Sequence, residues 1–440
     1  MASTHPRQVA IIGAGLAGTA LALSLHHHLP GPLSVSIYES RRPDAPELSS
    51  GVVLTPNGLH ILKALGVYDQ IKDICWQSQY RTYKNEQDVT TRKSLIAPEE
   101  LYGFCNHRLY RRILLAELKR AVSAIGVEIK YETKFEGIVK DDNESVVFKI
   151  NGQEQTADLL VGADGIYSSV RKYLWPDVEP EYTGTTGVLG HIRWDAVDWP
   201  YDDYERAFTL QGTPGAFFVI LELKDGSEIM VGMQAKWADM SRAEWDALAR
   251  DKEKLSEWYR RDYDRWGTTA RKVLDAVTAE DETPGARLGK QSLYLWKFLK
   301  MPKMDRWYST SGRVLIVGDA AHAIPPSSAQ GVNQALEDIW ALGRLLAATS
   351  RERIAALEFW QTVRQERVDA VYAWATGTTN VMRMGKEERD RLIEEGKIED
   401  PDKMGGKDGV GFDDMAWLYR CDTDARIDRW VESGRSNGCV

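Results

Sequence analysis

The sequence predicts a mixed α/β fold: a parallel layer of strands alternating with helices, a separate β-sheet layer, and helices toward the C-terminus. Three observations carry this. Val9 to Ile12 is a short buried strand, Leu16 to Leu25 an Ala- and Leu-rich helix, and Leu33 to Tyr38 an alternating β-branched strand, which together make a βαβ unit. From Tyr182 to Gln234 the texture changes to short aromatic and β-branched runs broken by Gly and Pro, as in a β-sheet layer. After a last buried strand at Val314 to Val317 come two apolar helices, Gln334 to Ala348 and Ile354 to Ala375.

The remaining elements follow the same logic. Asn57 to Leu65 reads as a helix closed by Gly66, and Tyr110 to Ile125 as one ending at Gly126. Val127 to Tyr131 and Glu144 to Ile150 read as strands, the second running into an Asn151-Gly152 turn. Leu159-Leu160-Val161 is another buried strand, and Ser241 to Val277 is helical and highly charged. Met384 to Asp414 reads as a solvated, glycine-rich connector.

The 440 residues suggest two to three domains at roughly 150 residues each. With 43% hydrophobic and 28% charged residues the composition is that of a globular chain, which excludes disorder, fibres and polytopic membrane folds. The net charge of -9, with no long basic run, argues against nucleic acid as a partner. No stretch reaches the ~18 apolar residues a membrane span needs, and Cys75, Cys105, Cys421 and Cys439 fit neither a zinc site nor a disulfide framework. A reducing, cytoplasmic setting is expected. The 15 Trp and 18 Tyr leave room for an apolar pocket that takes a flat substrate.

Gly13-Ala14-Gly15-Leu16-Ala17-Gly18 fits G-x-G-x-x-G in a strand-turn-helix context, the Rossmann-like dinucleotide fingerprint. Gly13 allows the tight turn, Gly15 lets the backbone approach a pyrophosphate, and Gly18 lets the helix pack on the strand. The helix N-terminus offers free N–H groups to phosphates. Glu39 ends the second strand, 21 positions after Gly18, where an acid takes ribose hydroxyls. The fingerprint alone does not choose between FAD and NAD.

Two further stretches make that choice: Val161-Gly162-Ala163-Asp164-Gly165 with its continuation to Arg171, and Gly312-Arg313-Val314-Leu315-Ile316-Val317-Gly318-Asp319-Ala320-Ala321-His322. With the fingerprint they resemble, in order and spacing over roughly residues 9 to 345, the three signatures of the single-component (group A) FAD-dependent aromatic hydroxylases. The salicylate and para-hydroxybenzoate hydroxylases belong to that family. The segment Ala416-Trp417-Leu418-Tyr419 to Asp422 is similar to the end of salicylate-hydroxylase-like chains. The resemblance implies a three-layer FAD-binding domain in two parts, residues 1–180 and 301–375. A β-sheet substrate domain would span 181–300, and a C-terminal connector and tail 376–440.

The resemblance also implies roles. Asp319 would meet the FAD ribityl chain. Pro325 and Pro326 with Gln330-Gly331-Val332-Asn333 would form the loop whose backbone amides face the flavin pyrimidine edge, with Ala329 where the family often has Gly. Arg108 would reach the cofactor, with Arg111 and Arg112 as close competitors. Gly51 and Val52 would pack near the flavin, and Asp164 belongs to a motif linked to FAD and NADPH. His322 belongs to a structural motif, and His26-His27-His28 closes a helix rather than binding metal.

No second fingerprint is present, so NADPH or NADH would bind transiently. The reduced flavin would activate O2 as a C4a-hydroperoxide and hydroxylate the substrate. The substrate would be a small-molecule aromatic, bulky and apolar, of the indole or polyketide type. Leu189 stands where phenol-hydroxylating relatives often carry Arg; His191 and Arg193, on one strand face, are the catalytic candidates, with Phe217, Phe218 and Met233 as pocket lining. Missing motifs exclude a halogenase and a two-fingerprint Baeyer–Villiger enzyme. An epoxidase of the same family and a non-turnover flavin sensor stay open.

Overall fold

The computed structural model describes residues 5–45, 50–279, 293–348, 353–376, 385–397, 410–412 and 414–436. A five-stranded parallel sheet runs in the order Val314–Ile316, Leu159–Gly162, Gln8–Ile12, Ser34–Tyr38, Glu128–Lys130. Its centre pairs Val9 with Leu159 on one side and Val35 on the other. Its three strands Val314–Ile316, Leu159–Gly162 and Gln8–Ile12 are near-continuous apolar runs because helices cover one face and a second sheet the other. That second sheet is the meander Phe135–Asp141, Val146–Ile150, Gln153–Ala157. Its last turn holds Asn151 and Gly152 at φ 47° and 79°, as a two-residue hairpin requires.

The helix Leu16–His28 lies between the parallel sheet and the helix Gly331–Ala348. Ser24 Oγ donates to the Ile339 carbonyl at 2.8 Å, and a Cβ on Gly343 would meet that Oγ at 2.6 Å. The two helices therefore approach too closely for any larger residue at 343.

The second large unit is an eight-stranded sheet: Leu293–Lys300, Glu181–Arg193, Glu228–Lys236, Gly215–Leu221, Phe208–Gly212, Tyr80–Lys84, Thr90–Leu95, Val410–Phe412. The helices Arg242–Arg250, Lys252–Arg260 and Thr268–Thr278 accompany it, and the last two contribute Leu255, Tyr259, Val273 and Leu274 to a core with Val188, Phe217, Val231 and Met233. The sheet reaches beyond residues 181–300. The hairpin Tyr80–Leu95 comes from the first 180 residues, and its apolar/polar alternation is too short to reveal its partner. Val410–Phe412 pairs in parallel with Thr90–Leu95, so the expected solvated connector contributes a strand and, at Lys386–Glu394, a helix. Most of its remainder lies outside the described residues.

A small sheet, Gly51–Leu54, Asn106–Tyr110, Trp76–Ser78, stands between the two units. A buried ionic set anchors the C-terminal helices. Glu337 pairs with Arg364 and accepts from Arg367 at 2.7 and 3.0 Å and from Asn57 Nδ2 at 2.7 Å; Asp338 accepts from Arg364 Nε at 2.8 Å. Arg367 also donates to the carbonyls of Trp417 and Leu418, which ties down the tail segment.

Burial alone would raise the Glu337 pKa, but Arg364 and Arg367 outweigh it and hold the carboxyl at about 2, below its ordinary 4.5. A depressed carboxyl stabilises the fold fully above its unfolded value and loses that contribution as pH falls through the folded one. Thermal melts are therefore expected to lose stability progressively between pH 4.5 and about 2. In Glu337→Gln the melting temperature is lower at neutral pH, and the acid slope over that window is shallower.

Candidate functional site

The loop after Gln8–Ile12 assigns each fingerprint glycine its own task. Gly13 sits at φ +103°, and a Cβ there would lie 2.5 Å from the Ala163 carbonyl oxygen. A Cβ on Gly18 would lie 2.0 Å from the Gly13 oxygen. Above Gly15 there is nothing within 4 Å, and this residue N-caps Leu16–His28 with no side-chain cap. The first amides of that helix are thus free for an anion. Glu39 Oε2 accepts the Ala14 N–H and Oε1 the Arg41 N–H, each at 2.9 Å. The carboxylate braces the fingerprint loop and keeps lone pairs for a hydroxyl donor.

Asp164 acts locally: it accepts from Ser168 Oγ at 2.5 Å and from the amides of Ser169 and Val170 at 2.7 and 3.3 Å, at the start of the helix Ser169–Leu174. Asp319 is different. It opens the helix Asp319–His322, its side chain is accessible, and the surrounding protein desolvates it and pushes its pKa up. The charges of His322 and Arg111 pull the other way. An accessible carboxylate crowded by protein on its other sides can serve as one wall of a ligand site.

The loop Pro325 to Asn333 forms another wall. Pro326–Ser328 is a tight turn, and Ala329 takes φ +54°, the left-handed region, which is the physical reason glycine suits this position. Nothing stands within 4 Å above Gly331, and Val332 is half-buried. The Asn333 side chain serves the loop: Oδ1 accepts the Thr55 N–H, and Nδ2 donates to the carbonyls of Val53 and Ala329, all at 3.0 Å. It pins the loop to Gly51–Leu54, whose Gly51, Val52 and Val53 are half-buried.

Of the three arginines, Arg108 has a buried carboxylate partner of its own. It is buried and donates to Glu222 Oε1 at 2.7 Å, across the junction with the eight-stranded sheet. A Cβ on Gly51 would lie 2.2 Å from Glu222 Oε2 and 2.4 Å from Arg108 Nη2, so Gly51 is glycine because this ion pair presses on its backbone. Arg111 is the one whose charge reaches Asp319. His191 joins the Arg108 cluster: Nε2 meets Glu222 Oε1 at 2.8 Å, and its ring stacks on Tyr294. Arg193, two residues on, is exposed and bonded to Asp195 at 2.7 Å, apart from that cluster. Phe217 and Met233 are buried in the core on the helix-covered side, and only Phe218 is on the other face; alternation reveals which residues share a face but not which face is open. Sequence reading missed Glu222, which no motif marks.

The remaining candidates are structural. His322 Nε2 meets Asp338 at 2.5 Å. The His27 and His28 rings pack on Trp340, and no metal-holding group occurs among the described residues. Cys75, Cys105 and Cys421 are free thiols, and Cys439 lies outside the described residues. No helix among the described residues is long and apolar enough to cross a membrane.

A fingerprint loop with open space over Gly15, an uncapped helix start, and an accessible enclosed carboxylate fit the pyrophosphate and polyol of a dinucleotide. That combination defines a dinucleotide-dependent oxidoreductase. The FAD binding domain family matches residues 7–375, and the chain belongs to it. The chain is 27% identical over 420 residues to hispidin-3-hydroxylase of Neonothopanus nambi, covering 88% of this chain and 93% of that one. It is 27% identical over 406 residues to salicylate hydroxylase of Pseudomonas putida, covering 84% and 85%. Klebsiella pneumoniae HpxO, solved with FAD and uric acid, shares the fold with a TM-score of 0.72 at 19% identity, over 90% of this chain and 94% of that one. The protein is an FAD-dependent monooxygenase of the group A aromatic hydroxylase kind.

The glycines separate cofactor binding from packing. Gly15→Ala is expected to leave the cofactor-free protein within about 1 kcal/mol of its original stability but to purify with little FAD. Gly18→Ala is expected to lose about 1–3 kcal/mol with or without FAD, from overpacking. Flavin content and thermal melts of both variants check this.

Proposed function

We propose that the chain uses NADPH or NADH to insert one oxygen atom of O2 into a bulky aromatic or indole-type compound. The observation that carries this is a single open fingerprint loop together with an accessible Asp319 next to the Arg111 charge. The half-buried Phe218 and Ile220, on the sheet face not covered by the helices, support an aromatic substrate. There is one dinucleotide fingerprint in the sequence, so the nicotinamide coenzyme has no domain of its own and visits the flavin only for reduction.

In this reading Gly13, Gly15 and Gly18 shape the pyrophosphate loop, Glu39 takes the ribose and Asp319 the ribityl hydroxyls. The backbone amides of Gly331 and Val332 would serve the flavin ring, and Asn333 holds their loop through Thr55 and Val53. Arg111 takes the cofactor role that the motif suggested for Arg108. When bound, the flavin supplies the reducing equivalents and the activation of O2. The protein's own part is to orient the substrate and exclude water. His191 is the residue of the sheet proposed to touch the substrate, with Phe218 and Ile220 as apolar floor; Arg193 is left outside.

Stopped-flow absorbance of the yellow protein with NADPH tests the reading. A member of a panel of phenols, indoles and prenylated aromatics is expected to accelerate flavin bleaching at least tenfold, with O2 restoring the colour and an oxygenated product in the mass spectrum. Slow bleaching whatever aromatic is added, and no oxygenated product from a crude metabolite extract, would sink it.

The arginine assignment has its own check. Arg111→Gln is expected to purify with at least tenfold weaker FAD retention, read as flavin released on dilution. Equal retention in Arg111→Gln and the unsubstituted protein contradicts it.

A further inference from the structure

The junction between the small sheet and the eight-stranded sheet encloses more charge than the fold needs. Arg108 on Asn106–Tyr110 meets Glu222, which is fully buried, at 2.7 Å. His191 donates its Nε2–H to the same Glu222 oxygen at 2.8 Å, because a carboxylate only accepts. Tyr110 donates to a second buried carboxylate, Glu228, at 2.6 Å. Arg108 Nη2 also lies 3.3 Å from Met230 Sδ. Burial works to raise the Glu222 pKa, but Arg108 and His191 outweigh it and keep it ionised. The Tyr294 phenol is pushed up by burial and by Glu222, so it stays protonated.

Three atoms of this cluster are buried without a hydrogen-bond partner: His191 Nδ1, Glu222 Oε2 and Arg108 Nε. Such groups cost free energy unless something satisfies them. Glu222 Oε2 is an acceptor, and with Nε2 donating to Glu222 the His191 Nδ1 is the ring atom left for a ligand. The next strands continue the same face: His191 pairs with Met230, and Met230 with Ile220, with half-buried Phe218 beside it. An apolar floor therefore ends at unpartnered polar atoms, the carboxylate oxygen of Glu222 among them. The Arg108 charge is already matched by Glu222, and Glu228 takes the Tyr110 hydroxyl and lies opposite Arg193 in the ladder, so among the described residues no free cation faces this floor.

We propose that Glu222 sets the substrate class: by occupying Arg108 and orienting His191, it selects a neutral aromatic bearing an O–H or N–H donor and rejects aromatic carboxylates. Glu222 is a positioning residue, which acts through Arg108 and His191. The proposal rests on the monooxygenase reading above and departs from a carboxylate-binding pocket of the kind an aromatic acid needs.

The test compares 2-naphthol with 3-hydroxy-2-naphthoate on the FAD-bound protein, by flavin absorbance difference for binding and by NADPH oxidation for turnover. The unsubstituted protein is expected to bind the neutral probe at least tenfold more tightly. Glu222→Gln frees the Arg108 charge and is expected to gain at least tenfold in affinity for the carboxylate while losing affinity for 2-naphthol, a gain that a merely structural role does not produce. Glu222→Asp keeps the charge and is expected to keep the original preference, which guards against misfolding as the cause. Equal or better binding of the carboxylate by the unsubstituted protein overturns the proposal, as does an unchanged preference in a Glu222→Gln protein with full FAD. Selective binding of 2-naphthol without accelerated NADPH oxidation counts against the monooxygenase reading instead, and turnover indifferent to probe charge counts against this inference alone.

Discussion

The cleft depends on one buried ionic constraint, the contact of Glu337 and Asp338 with Arg364 and Arg367. Buried pairs of this kind add little net stability, because desolvation offsets the attraction, but they tolerate one arrangement only. Here the arrangement sets the helix Gly331–Ala348 in register with Arg353–Thr376 and, through Asn57, with the segment after Gly51–Leu54. Asp338 also accepts the Gly318 amide and meets His322, so the turn that presents Asp319 is held by the same side chains. The two cleft walls that differ most in sequence position, residues 51–55 and 319–333, are thus positioned by one cluster beneath them. Asn333 completes the link at the surface of that cluster.

Seen this way, the left-handed Ala329 is a consequence of the anchoring on both sides. The turn at Pro326–Ser328 starts the loop and the helix beginning at Gly331 ends it, and Asn333 Nδ2 takes the Ala329 carbonyl. With both ends fixed, the residue between them adopts φ +54° whatever its side chain. The strain, about 1–2 kcal/mol for an L-residue, is carried by the surrounding bonds.

How far the sequence could be read follows from the range of the interactions involved. The fingerprint was legible because its requirements are local: the positive φ of Gly13 and the close contact of Gly18 fall within six residues. The βαβ unit, the hairpin at Asn151-Gly152 and the C-terminal helices were legible for the same reason. The eight-stranded sheet was legible as a texture but not in its membership, since Tyr80–Leu95 and Val410–Phe412 join it across long loops and carry no signal of their partner. Phe217 and Met233 illustrate a related limit. A period of two sorts side chains into faces, and only the helices packed on one face decide which is closed.

Arg108 is the sharpest case, because its residue type and neighbourhood fit the cofactor role and its partner lies 114 positions away. Nothing near Arg108 distinguishes it from Arg111; the difference is Glu222, which directly follows a strand of the other sheet. Once that carboxylate takes the guanidinium, the positive charge available to a ligand at the junction is cancelled. The same pairing leaves Arg111 as the arginine whose charge acts on Asp319, which is why the cofactor role is proposed for it. A single long-range ion pair therefore gives two arginines three residues apart different carboxylates, Glu222 for Arg108 and Asp319 for Arg111. It also accounts for Gly51, whose missing side chain makes room for the pair. The constraint on the backbone and the charge left for the substrate are two effects of one contact.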